Sequence, residues 1–212
     1  MQKPLKLFLR HIERVGLMYK NIFKRWIDIV LSGVALILLF IPIILISIAI
    51  KLDSEGPVVF RQVRLGKDRK EFTIYKFRTM LKNISEKDGI VTQSFDTRIT
   101  KVGSFLRRTS LDEILQFVNI LKGQMSIIGP RPILPNQFEP YANNPHYCKR
   151  YEVLPGLSCT IDIKNRATFD RDLQFEMDAD YVEHISFIED IKICILLAKT
   201  VLFDRKIYAD EE

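Results

Sequence analysis

Residues 29–50 read Ile29-Val30-Leu31-Ser32-Gly33-Val34-Ala35-Leu36-Ile37-Leu38-Leu39-Phe40-Ile41-Pro42-Ile43-Ile44-Leu45-Ile46-Ser47-Ile48-Ala49-Ile50, without a single charge. As a helix this run is roughly 33 Å long at about 1.5 Å per residue, enough to cross a hydrocarbon core of about 30 Å. It is too long for the apolar part of a signal peptide, and no small-residue cleavage site follows it. Two features argue against a simple span. Lys20, Lys24 and Arg25 precede the run, and Lys51, Arg61, Arg64 and Lys67 follow it. Positive charge normally gathers on the cytoplasmic side only. Pro42, near the middle, has no N–H and its ring clashes with the carbonyl of Leu38, so a kink or break is expected there. A helix broken near Pro42 that re-enters its own leaflet meets both facts; a straight span is the alternative. Lipid offers no partners to the backbone groups freed by a break. Ser47, or packing against the rest of the chain, is the expected source.

Working outward, Leu5, Phe8, Leu9, Ile12 and Val15 recur at helical spacing with Lys6, Arg10 and Arg14 between them. That pattern suits a helix lying on an anionic membrane surface, although Pro4 and Gly16 leave an irregular tail open. The 212-residue chain carries a formal net charge of +6. A basic balance favours anionic partners. A soluble nucleic-acid-binding protein has no use for the apolar run, so lipid and phosphorylated substrates are expected instead. Cys148, Cys159 and Cys194 show neither metal-ligand spacing nor a disulfide framework, and read as reduced thiols facing the cytoplasm. His11, His146 and His184 form no motif.

Past the apolar run, 58–65 and 71–78 are predicted strands joined by a turn at Gly66-Lys67-Asp68. Residues 82–99 are polar and loop-like. A basic helix is predicted over 103–108 and another over 110–121, stopped by Gly123. Gly129-Pro130-Arg131-Pro132 cannot continue a helix. Helices are predicted over 172–183 and again after Ser186, with Glu189 as a capping-box partner. The broad apolar face of the last (Ile188, Ile191, Ile195, Leu196, Val201) suits either the membrane surface or the core. The whole is a mainly α-helical α+β fold.

Arg107-Arg108-Thr109-Ser110-Leu111-Asp112-Glu113 is the most informative segment. Ser110 and Glu113 fit a capping box, and acids in a first helical turn suit the helix dipole. The same geometry also serves chemistry. A helix N-terminus behind two arginines attracts phosphate, and the dipole and arginines are expected to keep a carboxylate there ionised. Such a carboxylate beside a diphosphate is a candidate nucleophile toward phosphorus. A divalent cation would have to bridge the two anions, and Mg²⁺ suits this, taking one or two carboxylates plus substrate phosphates.

Here the chain resembles the bacterial sugar transferase family, the small monotopic phosphoglycosyl transferases, from Met18 to Leu202. The matching blocks are Phe60-Arg61-Gln62-Val63-Arg64-Leu65-Gly66, Tyr75-Lys76-Phe77-Arg78-Thr79-Met80, Asp96-Thr97-Arg98-Ile99-Thr100-Lys101-Val102-Gly103, Arg107 through Glu113, Gln116-Phe117-Val118-Asn119 and Gly129-Pro130-Arg131-Pro132. Each block alone is weak; their order and spacing together are specific. The resemblance implies that Asp112 is the nucleophile toward the sugar-bearing phosphate of a UDP-sugar. UMP leaves, and an acyl phosphate is held until polyprenyl (undecaprenyl) phosphate attacks it. It implies Mg²⁺ with Asp112 in its coordination sphere, and Glu113 orienting the metal or deprotonating the acceptor. It implies a monotopic, membrane-docked, mainly helical unit with a re-entrant segment, interfacial helices and a few short strands. The implied place is the bacterial inner membrane, with the catalytic part facing the cytoplasm. The implied role is to initiate envelope glycan synthesis, with downstream glycosyltransferases as further partners.

Arg131, Lys76, Arg78 and Arg64 are the expected phosphate and diphosphate contacts, with solvated or headgroup charges as the alternative. Arg166 matches the later part of the family's next loop. Asp178, at a family acidic position, is expected to hold an arginine or lie near the metal, unless it is an ordinary surface carboxylate. Three departures stand out. Ile41 replaces a common Ser before the membrane proline, and Gln124 replaces an acid in Gly123-Gln124-Met125-Ser126. After Pro155-Gly156 the usual Thr-Gly-Trp/Leu-Ala/Trp-Gln gives way to Leu157-Ser158-Cys159-Thr160-Ile161-Asp162. The expected organisation is an extension or misassigned start at 1–17, a re-entrant helix over 18–52 and a catalytic domain over 53–212. Two readings from other classes are a catalytically silent scaffold for glycan assembly and a basic lipid-binding protein.

Overall fold

The computed structural model describes residues 16–81, 97–164 and 170–203. The expected amphipathic stretch at 5–15, most of the loop at 82–99 and Arg166 lie outside them. From Gly16 the chain is helical and passes through a π-helical turn, Tyr19–Phe23, into α1 (Lys24–Leu38). It breaks at Leu39 and resumes as α2 (Phe40–Asp53). β1 (Val59–Leu65) and β2 (Glu71–Phe77) follow as a hairpin, then α3 (Lys101–Arg108). A 3₁₀ turn at Leu111–Glu113 leads to α4 (Gln116–Leu121) and β3 (Ser126–Ile128). Short helical turns between 135 and 152 precede β4 (Gly156–Ser158). The turn Ile161–Lys164, α5 (Arg171–Glu183) and α6 (Phe187–Phe203) complete the described chain. The fold is therefore mainly helical with a few short strands, as the sequence predicts.

The two halves of the apolar run meet at 60°. The break falls at Leu39 (φ −88°, ψ 3°), three residues before Pro42. That places Pro42 in the first turn of α2, where an N–H has no intrahelical acceptor and its loss is harmless. Ser47 does not reach the break: its hydroxyl donates to the Ile43 carbonyl at 2.6 Å, within α2. Among the described residues no single helix is long and apolar enough to cross a membrane, but the bent pair passes together by length and composition. Its outside is strongly apolar, with Ile37 76 % and Leu52 84 % exposed.

Both ends of this pair are fastened to the same unit. At the start, Arg25 donates to the carbonyls of Ile120 at 2.6 Å and Leu121 at 3.1 Å, capping the C-terminus of α4. Asp28, on the next turn of α1, accepts the N–H of Ile127 in β3 at 2.9 Å. Lys24 pairs with Asp190 of α6, which also accepts from Tyr19 and Tyr181. Lys24 and Arg25 are thus structural groups as well as flanking charges. At the far end, Ile50 packs with Phe77, Leu106 and Ile114, and Asp53 accepts the N–H of Val102 in the first turn of α3 at 2.9 Å.

The hairpin is antiparallel, pairing Val59 with Phe77 through Leu65 with Glu71. Side chains alternate along a strand, so Arg64, Gln62, Phe60, Phe72, Ile74 and Lys76 share one face. Ile74 on that face packs with Ile120 and Met125. Asn119, fully buried, closes the free edge of β2. Its Oδ1 accepts from the Tyr75 N–H at 3.1 Å and its Nδ2 donates to the Thr73 carbonyl at 2.7 Å. The start of α3 rests directly on Thr79, and Thr100 caps it by accepting the Gly103 N–H at 2.9 Å. A Cβ at Gly103 would sit 2.1 Å from the Thr79 carbonyl oxygen, whereas one at Gly33 in α1 meets nothing within 4 Å. Gly103→Ala should therefore cost about 3 kcal/mol of stability through overpacking, while Gly33→Ala should be neutral or slightly stabilising. Unfolding midpoints of the two variants in the same detergent check this pair.

Candidate active site

Asp112 and Glu113 lie in the 3₁₀ turn Leu111–Glu113, not at the head of a long helix. The expected helix over 110–121 is divided into that turn and α4. Ser110 does not cap with its side chain; it takes a left-handed conformation (φ 56°) and makes no capping bond. Its carbonyl instead accepts the Glu113 N–H at 3.3 Å. A left-handed non-glycine residue costs about 1–2 kcal/mol, so the turn before Asp112 is held against local preference by its surroundings.

The ionisation of Asp112 is also not as expected. Its carboxyl is pushed up to about 6, first by burial and then by the neighbouring Glu113, against the pull of Lys76 and Arg107. No helix macrodipole is centred on it, and Arg108 is exposed to solvent. Above about pH 6 the carboxylate form still predominates.

Glu113 sits between two cations. Lys76 donates to its Oε1 at 2.6 Å, and Arg131 Nη2 lies 3.6 Å from the same oxygen. Lys76 comes from the inner face of β2, and Arg131 from the turn after β3. Arg64, on the same hairpin face as Lys76, bonds Gln62 at 2.6 Å. Its guanidinium is shifted down to about 10, first by burial and then by Arg131 and Arg171, which places it in the same cationic cluster.

Arg131 is carried by a close crossing of backbones. β3 and β4 pair in parallel, Ser126 with Gly156 and Ile128 with Ser158. The Gly156 N–H donates to the Pro130 carbonyl at 2.9 Å, and the Gly129 N–H to the Ser158 carbonyl at 3.1 Å. A Cβ on Gly156 would fall 2.2 Å from the Gly129 nitrogen, so only glycine fits. This crossing brings the Gly-Pro-Arg-Pro turn against the loop at 159–164, where Asp162 meets Arg131 Nη1 at 3.2 Å. Sequence reasoning did not single out Asp162.

Two other predicted residues are buried. Arg78 is spent on structure: it is buried and donates to the Ser54 carbonyl and hydroxyl and to the Glu55 carbonyl, locking the turn that follows α2. Asp178 is fully buried, 3.2 Å from Arg150. Burial pushes its carboxyl up to about 6. Arg150 in turn donates to the Arg131 carbonyl. Asp178 is therefore not an ordinary surface carboxylate, and it lies within ion-pair distance of an arginine. Arg25, Asp28, Asn119 and Arg150 carry site-positioning bonds that no local pattern announced. The only trace in sequence is polar residues embedded in apolar surroundings, as with Asp28 just before the long run.

The family described as bacterial sugar transferase matches residues 19–204. The chain is 43 % identical over 184 residues to the UDP-glucose:undecaprenyl-phosphate glucose-1-phosphate transferase of Escherichia coli (strain K12), covering 83 % of this chain and 39 % of that protein. It is 39 % identical to the UDP-N-acetylgalactosamine-undecaprenyl-phosphate N-acetylgalactosaminephosphotransferase of Aeromonas hydrophila, covering 84 % of this chain and 43 % of that protein. It is 37 % identical to the uncharacterized sugar transferase EpsL of Bacillus subtilis (strain 168), covering 85 % of this chain and 88 % of that protein. The chain thus spans less than half of the first two relatives and most of the third. From the matched span and these identities, the chain belongs to the bacterial sugar transferase family.

Proposed function

We propose that the chain is a phosphoglycosyl transferase, moving a phosphosugar from a UDP-sugar to undecaprenyl phosphate through a covalent intermediate on Asp112. One observation carries this: Asp112 adjoins Glu113 in one tight turn, with Lys76 bonded to Glu113 at 2.6 Å and Arg131 3.6 Å from it, so a candidate nucleophile stands beside a cationic cluster suited to phosphate. The relatives, named for UDP-sugars and undecaprenyl phosphate, support the substrate pair.

In the first step a carboxylate oxygen of Asp112 attacks the sugar-bearing phosphorus. The bond from that phosphorus to the bridging oxygen breaks, and UMP leaves with the electron pair. The phosphosugar stays as an acyl phosphate. In the second step a phosphate oxygen of the lipid attacks the same phosphorus. The Asp112–phosphorus bond breaks, the carboxylate is restored, and the lipid-linked diphosphosugar departs. Arg131 and Arg64 contact the phosphates. Lys76 holds Glu113 in place beside the reacting carboxyl.

Mg²⁺ is the cofactor assigned in this reading. Among the described residues no three His, Cys, Asp or Glu side chains gather to hold a metal by themselves. Adjacent carboxylates still fit an ion that completes its shell with substrate phosphates and water. Asp112 would hold it, since Glu113 is already engaged by Lys76. When bound, Mg²⁺ would offset the charge of the diphosphate and of the leaving UMP.

The bent helix pair is assigned to the bacterial inner membrane, entering and leaving from the cytoplasmic side. Its support is that Arg25 and Asp28 at one end and Ile50 and Asp53 at the other all fasten to the unit that bears Asp112. The exposed apolar side chains of α6 (Phe187, Ile188, Ile191, Ile195) are placed against the same interface.

Three outcomes are expected. With Mg²⁺ and a panel of UDP-sugars, the protein in membranes should release one stoichiometric burst of UMP without polyprenyl phosphate and steady UMP with it. Asp112→Asn should abolish both; full turnover by that variant rejects the nucleophile, and a silent scaffold would give neither burst nor turnover. Lys76→Met removes a charge-assisted hydrogen bond of about 1.5–3 kcal/mol, so kcat/KM should fall about 10- to 150-fold; an unchanged value removes the Lys76–Glu113 pair from the mechanism. Tags at the two termini should be labelled from the same side of sealed vesicles, and labelling from opposite sides rejects re-entry.

A further inference from the structure

The loop after Gly156, where the chain departs from the family pattern, brings a carboxylate to Arg131, which also faces Glu113. Asp162 lies in the turn Ile161–Lys164, and its two oxygens have different partners. Oδ2 accepts the Cys159 N–H at 3.2 Å and the Cys159 thiol at 3.0 Å. Cys159 is itself 1 % exposed, so this anchor does not move with solvent. Oδ1 faces Arg131 Nη1 at 3.2 Å. The opposite edge of the same guanidinium, at Nη2, looks toward Glu113 at 3.6 Å. The Arg131 backbone is fixed independently, since its carbonyl accepts from Arg150, which is buried against Asp178.

A guanidinium is a planar fork of five donors with fixed directions. Held by a carboxylate on one edge, it cannot swing about its long stem, and its remaining donors keep one aim. Arg131 would otherwise lose rotamer freedom each time it met an anion, which weakens binding. The charge balance agrees: Asp162 is the main influence holding the Arg131 proton on, ahead of Glu113.

We propose that Asp162, anchored by Cys159, is a positioning residue for donor binding: it fixes Arg131 so that the free donors of the guanidinium meet the diphosphate of a nucleotide-diphosphate sugar. This deepens the reading of the site given above and rests on it. Asp162 touches neither substrate nor reacting atoms; it acts through Arg131 alone.

The test measures UDP affinity in the presence of Mg²⁺ by calorimetry, and KM and kcat for UMP release, on the full chain in detergent. Asp162→Asn keeps the size of the side chain but turns an amide toward Arg131, and Asp162→Gln is the second variant. Each should weaken UDP binding about tenfold, with the kinetic loss falling mainly on KM for the UDP-sugar. KM for polyprenyl phosphate should not move. In an Arg131→Met background, Asp162→Asn should have no further effect on UDP affinity, because the residue it positions is gone. Unchanged or tighter UDP binding in both variants overturns the proposal. So does an equal loss in the Arg131→Met background, which marks a merely structural role. UDP binding that responds as expected in a protein that releases no UMP would leave Asp162 positioning Arg131 and reject the transfer reaction instead.

Discussion

Lys76, Glu113, Arg131 and Asp162 form a chain of alternating charge, and the arrangement of the site depends on it. Its members come from β2, the 3₁₀ turn, the turn after β3 and the turn at 161–164. No two are neighbours in sequence, so the chain of charges fixes four segments against one another. Each inner member stands between two opposite charges, and removing one leaves a partly buried neighbour uncompensated, which is costly. The same arrangement explains the behaviour of Asp112. Lys76 is already bonded to Glu113, and burial together with the adjacent Glu113 outweighs the pull of Lys76 and Arg107, so the Asp112 carboxyl rises instead of falling. In the proposed mechanism this carboxylate is the nucleophile.

Backbone proximity makes the chain of charges possible. Gly129 and Gly156 cross at a distance that admits no side chain, which sets Arg131 beside the 159–164 loop. Asn119 seals the edge of β2 and so fixes the distance from Lys76 to the turn that carries Glu113. Arg25 and Asp28 then clamp the start of the apolar helix pair to α4 and β3, while Asp53 and Ile50 clamp its end to α3. The helix pair exposes apolar side chains on its outside and has both ends pinned to one polar unit, which supports the proposed re-entry. The pair bends by 60° at Leu39. The proposed consequence for function is that a lipid-borne acceptor diffusing in the bilayer plane arrives at the level of Asp112.

Much of this was legible in the sequence, and what was missed follows a physical pattern. The uncharged run, the hairpin, the stop at Gly123 and the helices at Arg171–Glu183 and Phe187–Phe203 are set by local periodicity, capping and turn chemistry, and appear close to where those signals place them. The capping box at Ser110 failed because tertiary contacts outweighed a local motif and drove Ser110 into a left-handed turn. The reason given for an ionised Asp112 failed with it, since the dipole argument needed a longer helix there; the carboxyl is raised to about 6 and is ionised above that. Arg78 was read as a phosphate contact from its place in a basic block; in the structure its two terminal nitrogens bond Ser54 and Glu55, partners no local pattern announced. The contacts of Asp162 and Arg150 with Arg131 reach across 31 and 19 residues of sequence, so no spacing rule could single them out.

The central claim is that Asp112 bonds covalently to the phosphosugar, and the most direct measurement is to look for that bond. Wild-type protein is given Mg²⁺ and its UDP-sugar without acceptor, quenched, and analysed by mass spectrometry as intact chain and as peptides. The account predicts one added phosphosugar, located on the peptide at Asp112 and discharged when polyprenyl phosphate is supplied before quenching. Product formation with no such adduct, or an adduct on any other residue, would contradict it.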